Sequence, residues 1–224
     1  MEVDTSFSST TLQSVTYTRD AAGRALTRVV APNAESWTYT YDGIDRLLSA
    51  ANANDGSSSR AFSYDAAGNM LTNSGVGSYS YPVPGQPRPH AVTTAGSNNY
   101  TYDDVGNVLT GAGRALTYDG ENRLIEVVTA MAATTYAYAP DGDRIKTVVT
   151  PISGPVETSF MLGSTEINPA GTYIKVPNPD VRIVGSNVCF VHRDQLATIL
   201  FETDDTGAIA LRQRFQPYGE RVLL

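Results

Sequence analysis

His192 and Asp194 are the pair of residues in this chain whose types and spacing could support catalysis. They lie two positions apart in a predicted strand and therefore on one face of it, where the carboxylate could orient the imidazole. A hydrolase of this kind also needs a nucleophile, and the sequence has no Gly-x-Ser-x-Gly motif to supply one. We therefore predict that the chain is not an enzyme and that His192 and Asp194 form a structural hydrogen bond, with a hydrolase as an alternative.

The other cysteine, histidine and carboxylate groups do not predict a metal site or a cofactor. Cys189, the single cysteine, lies three positions from His192 and hence on the opposite strand face, among apolar neighbours typical of a buried thiol. His90 lies in a proline-rich connection, where we expect a structural hydrogen bond. The acidic residues at 141–143 and 204–205 match neither the EF-hand spacing nor the glycine-rich calcium repeat, so we interpret them as solvated turn carboxylates.

Composition and charge exclude several classes of function. The 224 residues carry 16 Lys and Arg against 23 Asp and Glu, a net charge of −7, which argues against a nucleic-acid binder. The longest apolar runs are far shorter than the roughly 20 residues that span a bilayer, and the acidic N-terminus lacks the features of a signal peptide. Charged residues make up 17%, whereas glycine (19), proline (12) and tyrosine (13) are prominent, a mixture that favours an all-β chain.

A short pattern recurs along the first two thirds of the chain. It begins with Tyr-Asp, continues with a Gly, Asp or Asn three positions after the Asp, and ends with aliphatic residues. Clear copies occupy residues 41–48, 64–71, 102–109 and 118–125, and weaker copies occupy 19–24 and 138–145. Repetition of this kind identifies a structural unit that must stack on its neighbours to bury a face.

Each copy predicts a β-hairpin with a defined turn. Before the turn, residues 37–41 alternate Trp-Thr-Tyr-Thr-Tyr, which puts aromatic side chains on one face and Thr on the other. In the turn, the Asp carboxylate can accept a hydrogen bond from the backbone two residues on, and the Gly can adopt the left-handed conformation. A type I turn closed by a left-handed residue and a bulge is the expected geometry.

The repeated residues are therefore interpreted as structural rather than as a sugar-binding or acid–base surface. We expect the tyrosines to pack between hairpins and the aspartates to brace turns. The signature residues are Tyr41, Asp42, Tyr64, Asp65, Gly68, Tyr102, Asp103, Gly106, Tyr118, Asp119, Tyr138 and Gly142.

These residues resemble the RHS/YD-repeat family. The resemblance is carried by the consecutive segments at residues 88–92, 100–103, 106–107, 116–119 and 121–124. Residues 190–196, 203–207 and 215–220 are similar to the segment that precedes the family's C-terminal core. There the chain departs from the family pattern at Gln195, Ala197 and Gln216, which stand where the family has His, Gly and Asp.

The resemblance implies a fold and a function. Members of the family coil β-hairpins into a hollow shell, which in bacterial polymorphic toxins and insecticidal toxin complexes encloses a C-terminal toxic domain. Release there depends on a self-cleaving core near an Asp-Pro-x-Gly-Leu motif, which this sequence lacks. The resemblance therefore implies a shell segment of a larger secreted or surface protein, whose partners are further repeats and a toxin cargo.

The expected architecture is all-β, with consecutive antiparallel hairpins stacked into a curved or spiral sheet. Residues 1–150 form the repeat array, and residues 151–224 continue the same sheet with proline-rich loops. The chain is expected to be a fragment of a longer protein, with open sheet edges that could associate with other copies. A surface adhesion module that binds carbohydrate or protein through exposed aromatic rings is the alternative function.

Overall fold

The protein is an all-β chain built from neighbouring hairpins. The computed structural model describes residues 2–7, 10–32, 35–194 and 196–222. Within these residues the regular structure is 25 strands and one 3-10 turn at Gly56–Ser58, with no α-helix and no helix long and apolar enough to span a membrane. The long sheets are antiparallel and not closed, which confirms the predicted stack of consecutive hairpins.

The chain divides into two compact units. The first comprises Met1–Ser80 with Gln213–Leu224, and the second comprises Tyr81–Arg212. Each strand of the first unit up to residue 80 pairs with the next one along the chain. These strands are β1 (Glu2–Phe7), β2 (Thr10–Arg19), β3 (Ala25–Ala31), β4 (Glu35–Tyr41), β5 (Leu47–Asn52), β6 (Arg60–Tyr64), β7 (Met70–Asn73) and β8 (Gly77–Ser80).

The first unit has two chemically different sheet faces. On one face Val15 lies opposite Val30, and these two side chains are buried with Tyr17. Trp37, only 3% exposed, lies on the same face, opposite Arg28. The other face carries small hydroxyl side chains in hydrogen-bonded cross-strand pairs: Thr18 with Thr27, Thr40 with Ser49 and Ser63 with Thr72. The period of two in the sequence therefore sorts aromatic and aliphatic side chains from hydroxyl side chains.

A 13-stranded sheet forms most of the second unit and runs past residue 150 without a break. A two-stranded pair, β9 (Thr94–Ala95) and β10 (Asn98–Asn99), precedes it. The sheet strands are β11 (Thr101–Tyr102), β12 (Val108–Gly111), β13 (Arg114–Tyr118), β14 (Leu124–Thr129), β15 (Ala132–Tyr138), β16 (Arg144–Pro151), β17 (Glu157–Leu162), β18 (Thr165–Ile167), β19 (Tyr173–Asn178), β20 (Val181–Val184), β21 (Asn187–Arg193), β22 (Ile199–Asp204) and β23 (Ile209–Arg212).

Two segments lie outside these long sheets. Residues 81–93, which contain the prolines of the predicted connection, form turns and extended backbone without a strand. After β23, a short hairpin of β24 (Arg214–Phe215) and β25 (Arg221–Val222) belongs to the first unit.

Candidate functional site

The structural signature of the chain is one turn, used repeatedly. In the copy that starts at Asp119, the Asp119 amide donates to the Arg123 carbonyl and the Asn122 amide donates to the Asp119 carbonyl. The Asp119 carboxylate accepts the amide protons of Glu121 and Arg123, both at 2.9 Å. The same pair of backbone hydrogen bonds occurs in turns that start at Asp20, Asp42, Asp65, Asp103, Asp119, Ala139, Asn168, Asp194, Asp204 and Gln216.

The fourth residue of every one of these turns has a left-handed backbone. This conformation disfavours a Cβ atom, so glycine is the common residue. The left-handed residues are Gly23, Asp45, Gly68, Gly106, Asn122, Gly142, Gly171, Ala197, Gly207 and Gly219. A register shift accompanies most of the turns, for example between Thr117 and Tyr118, as expected for a bulge.

The fifth residue of the turn, which follows the left-handed residue, binds Oδ2 of the Asp carboxylate, whereas the backbone amides bind Oδ1. Arg24, Arg46 and Arg123 each form an ion pair with the first Asp of their own turn at 2.6–2.8 Å. Asn69 and Asn107 donate amide hydrogen bonds to the same carboxylate oxygen in the other two copies. The side chain of this fifth residue therefore makes the brace two-sided.

The tyrosine of each hairpin contacts the preceding hairpin. The hydroxyl of Tyr41 donates to the Ala25 carbonyl, that of Tyr64 to the Leu47 carbonyl, and that of Tyr138 to the Leu124 carbonyl, at 2.7–2.9 Å. Each acceptor lies five residues after the start of the preceding turn. Tyr102 makes the equivalent bond to Val92 in the connection. Tyr118 precedes its turn, as the last residue of β13, and is half-buried.

Arginines complete the contact between successive turns. The guanidinium carbons of Arg24, Arg46 and Arg123 lie 5.1, 4.8 and 5.1 Å from the ring centroids of the next tyrosines, Tyr41, Tyr64 and Tyr138. Arg46 also donates to the Asp65 carbonyl at 2.8 Å. A single arginine thus binds its own turn and the next turn together.

The ionisation of the site follows from these contacts. The amide of Arg46, and then its guanidinium, hold the pKa of Asp42 below its usual value, and Arg123 does the same for Asp119. Burial raises the pKa of the Tyr41, Tyr64 and Tyr102 hydroxyls. Each direction favours the charged carboxylate and the neutral phenol, the states in which these hydrogen bonds form.

His192 and Asp194 are not placed as expected. Strand β21 ends at Arg193, and Asp194 begins a turn, where its carboxylate accepts the amides of Leu196 and Thr198. His192 instead shares a hydrogen bond of 2.9 Å between its Nε2 and the Thr203 hydroxyl, and its ring stacks on Phe201. The expectation that His192 and Asp194 share a strand face and a hydrogen bond is therefore wrong, because the Asp194 carboxylate braces the turn that follows β21.

The remaining singled-out residues have local roles or ordinary positions. The Asp143 amide donates to the Asp141 carboxylate, and the Asp204 carboxylate braces its own turn. Cys189 is a half-buried free thiol. His90 lies in the turn region after β8, and Gln195 lies outside the described residues. Across the described ranges, no His, Cys, Asp and Glu side chains cluster to hold a metal ion.

Sequence inspection missed turns in which the signature residues are replaced. Asn168 braces its turn as Asp does elsewhere, accepting the amides of Ala170 and Thr172. Arg193 occupies the tyrosine position and donates to the carbonyls of Ala197 and Pro179. The spacing Asx-x-x-Gly would have identified the turn at Asn168, whereas Ala197 removes that signal from the turn at Asp194.

The terminal hairpin contacts β6 within the first unit. The rings of Phe62 and Tyr218 meet edge to face at 4.9 Å between centroids, and the Tyr218 hydroxyl hydrogen-bonds that of Tyr64. Arg60 pairs with Glu220 at 3.5 Å. The turn of the terminal hairpin begins at Gln216, whose side-chain oxygen is buried with no hydrogen-bond partner in the described structure.

Solved structures with a similar fold include TcdB2-TccC3 and a Tc holotoxin pore. The chain superimposes on TcdB2-TccC3 with a TM-score of 0.58 at 13% identity, covering 94% of this chain and 15% of that one. It superimposes on the Photorhabdus luminescens Tc holotoxin pore with a TM-score of 0.51 at 13% identity, covering 93% of this chain and 14% of that one. The chain therefore spans about 15% of the length of these structures.

Sequence comparison gives a more specific result. No curated protein sequence matches the chain significantly. The profile of the Teneurin YD-shell family matches residues 1–150, the range that contains six of the ten turns. With hairpins, turns and interlocking tyrosines arranged as described, the chain belongs to the Teneurin YD-shell family.

Proposed function

We propose that the chain is a non-enzymatic wall segment of a YD-repeat shell and that this shell encloses a toxic cargo segment of the same parent protein. The observation that carries the proposal is the interlock between successive turns. Arg46 pairs with Asp42 in its own turn, covers the ring of Tyr64 and donates to the carbonyl of Asp65. Arg24 and Arg123 also cover the tyrosine of the next hairpin, and such links fix neighbouring hairpins against each other, as an enclosing wall requires.

The wall needs this interlock because the sheet has no second layer of helices in the described structure. A sheet of hairpins resists opening only as far as neighbouring hairpins hold each other. Backbone pairing supplies part of that resistance, and the tyrosine and arginine contacts add side-chain links at the turn end of the strands. The function of the repeated Tyr, Asp and Arg residues is then mechanical.

The engaged tyrosines give the alternative, a carbohydrate-binding adhesion module, little support. A sugar-stacking surface needs open ring faces, whereas arginines cover the rings of Tyr41, Tyr64 and Tyr138 and their hydroxyls bond to backbone. Binding of carbohydrate or protein by this chain stays a prediction.

The partners and the location belong to the same proposal. The chain spans only about 15% of the TcdB2-TccC3 structure, so a closed shell would need further hairpins from the parent protein. The similarity to toxin-complex structures leads us to propose a secreted or cell-surface parent protein.

Protease protection in the parent protein tests enclosure. A protease recognition sequence would be inserted in the proposed cargo segment, and cleavage followed over time. We expect protection in the wild-type protein and cleavage when Asp42→Ala and Asp119→Ala remove two braces, because the wall would then open. Asp104→Ala is the matched control, since Asp104 is an exposed turn residue outside the brace.

The same experiment can contradict the proposal. Cleavage of the wild-type protein as fast as that of the isolated cargo segment would show that this wall encloses nothing. Protection that is identical in the wild-type and doubly substituted proteins would show that the braces do not maintain the enclosure.

A further inference from the structure

One face of the second unit's sheet differs from the corresponding face of the first unit. Across strands β16 to β19, Lys146 lies opposite Phe160, Phe160 opposite Ile167, and Ile167 opposite Tyr173. Lys175 lies on the same face, two residues after Tyr173 on β19. We call this surface, from β16 to β21, the lysine face.

The strand registers define which residues share this face. They are Lys146, Val148, Thr150, Thr158, Phe160, Leu162, Thr165, Ile167, Tyr173, Lys175, Val181, Ile183, Val188, Phe190 and His192. None of them is Asp or Glu, although the chain contains 23 such residues. The opposite face of the same strands carries Glu157, Glu166 and Arg182.

The apolar residues of the lysine face are open to solvent. Leu162 is 62% exposed, Tyr173 54%, Phe160 43% and Phe190 40%. The corresponding face of the first unit is lined by pairs of Thr and Ser hydroxyls. Neighbouring exposed apolar side chains on one sheet face favour an interaction surface over singly scattered exposed residues.

Both lysines of the chain lie on this face, whereas the fourteen arginines are distributed elsewhere. Neither lysine forms an ion pair with a described residue. The Lys146 ammonium lies 5.8 Å from the centroid of the Phe160 ring. Two ammonium groups without an ion pair, beside exposed aromatic and aliphatic side chains, match a ligand that combines anionic groups with an apolar part.

We propose that the lysine face binds an anionic lipid surface. Phe160, Leu162 and Tyr173 would contact the interfacial region, and the ammonium groups of Lys146 and Lys175 would reach the phosphates. Because the chain carries a net charge of −7, a face free of carboxylates is where such a surface can approach. Lysine is depleted in protein–protein interfaces, which favours lipid over a protein partner.

Vesicle sedimentation with the full chain tests the proposal. The probes are vesicles of phosphatidylcholine alone and of an equimolar mixture with phosphatidylglycerol. We expect sedimentation with the mixed vesicles only, weakened by salt, and weakened roughly fivefold by each of Lys146→Ala and Lys175→Ala. Phe160→Ser with Tyr173→Ser should also weaken it, because the apolar contact would be lost.

Controls separate this surface from general effects. Arg114→Ala removes an exposed cation on another strand, and Val29→Ser removes an exposed apolar side chain of the first unit, 45% exposed. Both should sediment as the wild type does, and circular dichroism should show the same β content for all variants. Lys146→Arg with Lys175→Arg should retain sedimentation because the charge is kept.

Three sedimentation results would overturn the proposal, and one light-scattering result would do so as well. They are absence of sedimentation with the mixed vesicles, equal sedimentation with both vesicles, and sedimentation insensitive to the lysine variants. If the Phe160 and Tyr173 variants instead dissociate a self-associated wild-type chain in light scattering, the face is a protein interface and the lipid proposal is wrong.

Discussion

The hydroxyl of Tyr138 donates a 2.7 Å hydrogen bond to the backbone carbonyl of Leu124 in the preceding hairpin. The bond joins the last residue of one entering strand to the first residue of the previous exiting strand. The same relationship joins Tyr64 to Leu47 and Tyr41 to Ala25. Repetition of one contact at one position of the repeat explains why tyrosine precedes the turn so often.

Removal of this hydroxyl should weaken the array. Tyr138→Phe keeps the ring beneath Arg123 but leaves the Leu124 carbonyl without its side-chain donor. We expect a loss of about 1 kcal/mol in the free energy of unfolding, measured from urea denaturation. Tyr173→Phe is the control, because the Tyr173 side chain is 54% exposed, and an equal loss there would contradict the assignment.

The turn carboxylate should matter more than its exposed neighbours. Asp119→Ala removes the acceptor of the Glu121 and Arg123 amides and the ion pair to Arg123. We expect a lower urea midpoint than for Asp104→Ala, while Asp119→Asn should retain most of the stability, because Asn168 accepts the equivalent backbone amides in its own turn. Equal midpoints for the two alanine variants would show that the brace is dispensable.

Acid should weaken the braces. The pKa values of Asp42 and Asp119 are lowered in the folded chain, chiefly by the amides of Arg46 and Arg123. A lowered pKa stabilises the fold above the unfolded value of about 3.9, and that stability is lost as the pH falls through the folded pKa. Urea midpoints measured from neutral pH downwards should fall below the unfolded pKa. The fall should be less steep in the variant with both Asp42 and Asp119 changed to Asn. A parallel decline in both proteins would contradict this origin.

Gly111 should tolerate no side chain. A Cβ atom at this position would lie 2.2 Å from a ring carbon of Tyr100, which rests on the glycine. Gly111→Ala should cost about 1–3 kcal/mol in thermal or urea unfolding, because the ring must move. Gly120→Ala adds the same atom where nothing lies within 4 Å and should change stability little.

Ala197 should be improved by glycine. It has a φ of 63° at the position where most other turns have glycine. Ala197→Gly should raise the free energy of unfolding by about 1 kcal/mol, since a Cβ atom is disfavoured in this conformation. The reverse change at the equivalent site, Gly207→Ala, should lower it. A lower free energy of unfolding for Ala197→Gly would contradict the idea that the left-handed backbone at Ala197 is strained.

Much of the fold could be predicted because its information is local. Tyr, Asp and Gly at fixed spacing define a turn without reference to the rest of the chain, as at Asp65 and Gly68. The turns at Asp194 and Gln216 escaped prediction because Ala197 replaces Gly and Gln216 replaces Asp. The contact of Tyr218 with Tyr64 joins residues 154 positions apart, and no local pattern encodes it.

The role of single polar residues was also beyond local reasoning. Strand β21 ends before Asp194 because the Asp194 carboxylate accepts the amides of the turn, and His192 meets Thr203 only after β21 and β22 pair. The apolar, carboxylate-free lysine face becomes visible only from strand registers that bring Lys146, Phe160 and Tyr173 together.

The structure of the complete parent protein by electron cryomicroscopy tests the central proposal most directly. The proposal predicts that the hairpins of this chain continue into further hairpins and form part of a wall around a volume that contains polypeptide. An open sheet with solvent on both faces and no enclosed chain would contradict it.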